Sequence, residues 1–145
     1  FDPRSDIYTL ADLEDKVVAV QSTTKPEGIL LNRTNENVPL IKELYCFSDR
    51  SYLNPALVEG LVDAIAAHES SLLTYEKDYG VTYRILDEPL LVVGLGTAFD
   101  INDTRGIDVK LTHAYQEMLA DGTMERLVSK YFDDSSPFLN MEGLS

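Results

Sequence analysis

Residues 17–20, Val-Val-Ala-Val, form a short apolar run rich in β-branched side chains. A parallel sheet covered on both faces requires a strand of this kind. Gln21, Ser22, Thr23 and Thr24 follow directly, and a helical pattern then runs to about Arg33. Thr24 and Glu27 stand at capping-box spacing, which predicts that the threonine hydroxyl accepts from the Glu27 amide and that the glutamate reaches back to the Thr24 amide. Pro26 falls in the first turn, where its missing N–H costs little. Asn32, Thr34, Asn35 and Asn37 then break the helix. Upstream, residues 1–7 read as a lead-in, and Thr9 with Asp12 starts a short helix over 10–14.

Downstream, residues 43–47 predict a second strand and 48–51 a polar loop. Asn54-Pro55 reads as N-cap and first residue of a helix, with Leu57, Val58, Leu61 and Val62 at helical spacing. Residues 63–67 predict a small-residue strand, and 69–79 a helix closed by Gly80. Alternation over 81–86 and the apolar run 90–99 predict two further strands. Asp103 or Thr104 is expected to cap a helix through about Ala120, and 124–132 to form the last one.

Strands alternating with helices give an α/β class, an open and mostly parallel sheet flanked by helices. Ligands of such sheets sit beyond the carboxyl ends of the strands. Two strand ends carry suitable chemistry. Gln21, Ser22, Thr23 and Thr24 lead into a helix N-terminus, a place for a carboxylate or phosphate. His68, Glu69, Ser70 and Ser71 follow the strand 63–67. An anion site beside a carboxylate suits a zwitterion. The plainer alternatives are a well-capped strand–helix junction at 21–27, a glutamate that only stabilises its helix at 69, and a capping or packing histidine at 68.

Composition narrows the partners. The 145 residues carry a formal net charge of −13, which argues against nucleic acid and anionic membranes and says little about a small ligand. The length is that of one ordinary domain. The single Cys46 lies in an apolar stretch and is expected to be buried and structural rather than catalytic. No apolar run approaches a membrane span, and no signal peptide is read. The chain starts at Phe1 without a methionine and reads as an excised portion of something longer. No cofactor is expected: Gly94 and Gly96 lie inside a predicted strand rather than in a dinucleotide fingerprint. No metal is expected either, since His68 and His113 lack zinc-site spacing and no EF-hand loop is present.

Five segments carry a resemblance to the amino-acid-type extracellular solute-binding proteins, with the type II periplasmic binding protein fold. Residues 10–22, Leu-Ala-Asp-Leu-Glu-Asp-Lys-Val-Val-Ala-Val-Gln-Ser, resemble the opening of the family's second lobe. Val62-Asp63-Ala64-Ile65 resembles its "VDA" segment, residues 83–89 the strand before the hinge, and Gly96-Thr97-Ala98-Phe99 the hinge strand. Residues 120–132 resemble its "ADGT" ending.

The resemblance implies a two-lobed protein that closes on a ligand, of which this chain is the second lobe plus a C-terminal return. Residues 1–99 would be the lobe with a hinge strand, 100–132 the helical return and 133–145 a loose tail. A complete member is expected to be about half as long again, and the missing part to hold the usual arginine for the ligand carboxylate. Ser22, Thr23 and Thr24 match the hydroxyl turn that holds that carboxylate, although the family usually has glycine where Thr23 stands. For the aspartate that meets the ligand amine, strict counting points to His68 and a one-residue slip to Glu69. Glu69 keeps the negative charge and is preferred; His68 would add pH sensitivity. Gln21 either faces the cleft or caps its strand.

The implied function is capture of a small polar solute, an amino acid, for an ABC importer, in an extracytoplasmic location and without chemistry. The partners would be the transporter's membrane subunits. An alternative is the sensing domain of a membrane receptor such as a histidine kinase or cyclase, with a fused signalling module. A third is a cyclohexadienyl or arogenate dehydratase-like enzyme, for which only His68 and Glu69 could serve as acid or base. An exposed hinge region at 90–99 would also open a route to homodimerisation.

Overall fold

The computed structural model describes residues 5–94 and 96–139. The chain divides into two compact units, Phe1–Val92 and Val93–Ser145.

The first unit is built around β1 (Val17–Gln21). It is the middle strand of a three-stranded sheet, between β2 (Glu43–Phe47) and β3 (Ala64–Ala66) in the order β2-β1-β3. Both pairings are parallel, with Val20 opposite Cys46 on one side and Ala66 on the other. The predicted α/β class, with an open parallel sheet, is therefore present.

Strand alternation sends successive side chains of β1 to opposite faces. Val18 and Val20 join Ile7, Leu10, Leu13, Leu30 and Val38 in one buried cluster. Ala19 joins Leu53, Ala56 and Val62 in another. Leu30 comes from α1 (Lys25–Asn32), and Leu53 and Ala56 from α2 (Leu53–Val58), so the helix that follows β1 and the helix that follows β2 cover opposite faces. Val18 and Val20, at 1% and 0% exposed, explain why the run had to be apolar throughout. Each contributes about 2 kcal/mol by burial.

The remaining element of this unit is α3 (Glu69–Tyr79), closed by Gly80 in the left-handed conformation as its C′ residue. A 3₁₀ turn over Ala11–Leu13 replaces the short helix expected at 10–14, and Asp12 accepts from the amides of Tyr8 and Thr9. Asn54 is not an N-cap. A 3₁₀ turn over Arg50–Tyr52 leads straight into α2, which starts two residues earlier than expected.

Two predicted strands are corrected. Residues 81–86, and the described residues of 90–99, take no strand conformation. A strand needs a partner ladder as well as an alternating face. Side chains hold this segment instead. The Tyr83 amide donates to Glu76, the Arg84 guanidinium to the carbonyls of Ser5 and Ile7, and the Asn35 amide group to the Leu90 carbonyl. Glu88 accepts from the Leu10 amide, and Leu86 and Leu90 pack on the first cluster.

The second unit contains α4 (Ile107–Ala120) and α5 (Thr123–Val128), neither of which holds a buried residue. Gly106, not Asp103 or Thr104, is the N-cap of α4; Asp103 pairs with Arg105 at 2.7 Å. The last α-helix stops at Val128 rather than 132, and a 3₁₀ turn over Ser136–Phe138 stacks Phe138 on Phe132 at 4.3 Å. No helix among the described residues is long and apolar enough to cross a membrane.

Candidate functional site

Because all three strands are parallel, Gln21, Phe47 and Ala66 end on one edge of the sheet. With the order β2-β1-β3, connections leave in opposite directions around β1. The crevice outside the carboxyl ends of β1 and β3 is then the topological switch point, where open α/β sheets place ligands. Ser22, Thr23 and Thr24 leave β1 at that point, and His68 and Glu69 leave the neighbouring β3. The two candidate stretches therefore share an edge on adjacent strands.

The turn after β1 is tightly bonded. The Ser22 amide extends the ladder by donating to the Phe47 carbonyl at 2.8 Å. Thr23 has φ +63°, a left-handed conformation that glycine adopts freely and threonine does not. Its amide donates to Glu27 Oε2 at 2.6 Å. The hydroxyls of Thr23 and Thr24 donate to the carbonyls of Ser22 and Gln21, both at 2.6 Å. Thr24 is the N-cap of α1 by conformation, yet makes no side-chain cap bond. The capping box is thus displaced by one residue: Glu27 reaches the Thr23 amide, not that of Thr24.

Thr23 is exposed, and Gln21, Ser22 and Thr24 are half-buried. Thr23 and Thr24 line an open groove of about 570 Å³ along α1, with Lys25, Gly28, Ile29 and Leu91 among its other walls.

At the neighbouring strand end, His68 is the N-cap of α3 without a side-chain cap bond, and its carbonyl accepts from the amides of Ser71 and Leu72. Glu69 is the first residue of the helix, and both side chains are exposed. A carboxylate in a first turn is favoured by the helix dipole, and this one remains accessible to a cation.

The edge also carries features that sequence reasoning did not assign to a site. Asp49, just past β2, accepts from the Ser51 amide at 2.8 Å. That bond, together with the Ser51 hydroxyl, holds its carboxyl below the usual range. The Phe47 ring meets Tyr52 at 6.0 Å. The signal for both was the polar loop directly after a strand.

Cys46, expected to be buried, is exposed. It sits on β2, which among the described residues is an edge strand paired with β1 alone. Desolvation of its sulfur, and then the neighbouring Glu27 carboxylate, raise the thiol above its ordinary value.

Elsewhere, a smaller depression of about 300 Å³ on α4 is lined by Asp108 and His113, whose Nδ1 lies 3.6 Å from Glu117. Among the described residues, no group of three or more His, Cys, Asp or Glu side chains is placed to hold a metal ion.

No protein-family model matches the chain. The chain is 33% identical over 141 residues to the histidine-binding periplasmic protein of Salmonella typhimurium, covering 89% of this chain and 51% of that protein. It is 28% identical over 148 residues to the protein of the same name from Escherichia coli, covering 91% and 55%. The chain resembles periplasmic amino-acid-binding proteins.

Two solved structures share the fold, each with a TM-score of 0.63. One is the second substrate-binding domain of a protein assigned as an amino acid ABC transporter of Streptococcus pneumoniae, 19% identical, covering 88% of this chain and 56% of that one. The other is the substrate-binding protein of an amino acid ABC transporter, 24% identical, covering 90% and 56%. The resemblance read from the sequence therefore holds in sequence and in fold. The chain spans about half the length of the curated relatives it matches, so they are longer than the half-as-long-again expected.

Proposed function

We propose that this chain supplies one side of an amino-acid site in an extracytoplasmic solute-binding protein that serves an ABC importer. The observation that carries the reading is the 33% identity to a histidine-binding periplasmic protein along 89% of the chain. The placement of the hydroxyl turn 22–24 and of Glu69 on adjacent strand ends supports it. In this reading Ser22, Thr23 and Thr24 receive the ligand α-carboxylate at the α1 N-terminus. Glu69 meets the α-ammonium group in a charge-assisted contact, with His68 and Gln21 beside them. The output is binding and release, with the transporter's membrane subunits as partners. The relatives' names favour neither the sensor nor the dehydratase.

A thermal-shift panel of amino acids, histidine included, tests the reading. A ligand at a hundred times its dissociation constant adds about 2.7 kcal/mol. The expected result is a saturable rise in Tm for at least one amino acid, weakened about tenfold in affinity by Glu69→Gln, the low end for a charged hydrogen bond. No rise with any amino acid contradicts the proposal.

A further inference from the structure

The turn offered to a ligand carboxylate already holds a carboxylate of the protein. Glu27 Oε2 accepts the Thr23 amide at 2.6 Å, a short charge-assisted bond. The neighbouring donors are engaged as well: the Ser22 amide by Phe47, the Thr23 hydroxyl by Ser22 and the Thr24 hydroxyl by Gln21. Glu27 lies in the first turn of α1, where the helix dipole favours negative charge. On the sheet side the Glu27 carboxylate faces the thiol of Cys46 on β2, whose titration it raises.

We propose that Glu27 is an internal competitor for the anion position, so that a ligand carboxylate reaches the Thr23 amide only after the Glu27 carboxylate has left it. This rests on the amino-acid reading of the turn and adds its regulation. The apparent affinity equals the intrinsic affinity multiplied by the fraction of molecules with Glu27 released. Removing the carboxylate therefore tightens anion binding while removing no ligand contact.

The test uses the ¹⁵N-labelled full chain, wild type, Glu27→Gln and Glu27→Ala, with sodium acetate as the probe and the Thr23 amide resonance as the readout. The expected result is a saturable shift in both variants at about tenfold lower acetate than in wild type, as for loss of a charged hydrogen bond. Equal response in wild type and variants overturns the competitor. So does no response in the variants.

Alkylation of the single thiol by iodoacetamide at fixed pH gives a readout that needs no ligand. Loss of the Glu27 carboxylate returns the Cys46 thiol towards its ordinary value, so both variants react faster. Unchanged rates together with an unchanged Thr23 amide response overturn the proposal. The two readings fail separately. If no amino acid binds but the acetate and thiol results hold, the function falls and the competitor stands. If an amino acid binds wild type and both variants equally, the competitor falls and the function stands.

Discussion

Asn54 lies inside α2 with 9% of its surface exposed. A buried amide oxygen left without a donor costs about 1–3 kcal/mol. The Tyr83 hydroxyl supplies that donor at 2.7 Å, pinning the irregular segment after α3 to α2. Desolvation, then Tyr75 and Glu76, push the Tyr83 phenol up to about 12. The folded value lies above the unfolded value near 10, so the stability carried by the neutral phenol is complete below about pH 10. It fades as the pH rises through 12. Tyr83→Phe is expected to lower stability by about 1–2 kcal/mol at neutral pH. The gap between variant and wild type should narrow from pH 10 to 12. Urea unfolding across that range checks both statements, and a constant gap contradicts the linkage.

At this scale the sequence was only partly legible. The capping-box spacing placed Glu27 back over the turn, but Thr23 at φ +63° decided which amide it meets. A threonine in that conformation has no local signal. The exposure of Cys46 was hidden for another reason: an apolar neighbourhood says nothing about which strand lies at the sheet edge. Gln21, Ser22, Thr23 and Thr24 were legible as the end of a strand because a strand feeding a helix places them there wherever the sheet is parallel. His68 and Glu69 were legible for the same reason.

Helix ends obey more local rules. Gly80 takes φ +64° after α3, and a Cβ there would meet nothing within 4 Å. Gly80→Ala therefore tests backbone conformation alone and should destabilise by about 1 kcal/mol. Arg33 occupies the equivalent left-handed position after α1 at φ +52°, its amide closing on Ile29. Arg33→Gly should stabilise by about 0.5–1 kcal/mol by removing that strain. Both are read from equilibrium unfolding, and shifts of the same sign in the two variants would contradict the argument.

The elements read correctly, β1, α1, β2, β3 and α3, are those whose apolar runs and caps lie within a few residues. Residues 81–86 and 90–99 were misread because alternation describes the faces of a segment and not whether a neighbouring strand is there to pair with it. Pairing is decided by distant residues. Here Glu76, Asn54 and Asn35 take up the segment through side chains.

Across the whole molecule, burial is uneven. The residues of both buried clusters lie between Ile7 and Val62, and α4 and α5 contain none. Amide hydrogen exchange should accordingly be slowest in β1, whose central residues are at most 1% exposed, and faster throughout α4 and α5. Slower exchange in α4 than in β1 would contradict this distribution of stability. The same arrangement places the proposed site next to the most deeply buried strand, since the turn 22–24 is the direct continuation of β1.

The most direct test of the account is a titration of the ¹⁵N-labelled chain with the amino acid that gives the largest thermal shift, mapped residue by residue. The account predicts saturable changes at the amides of 22–24 and 68–69, the two stretches that share the switch-point edge. Changes confined to other residues, or none at any concentration of amino acid, would contradict it.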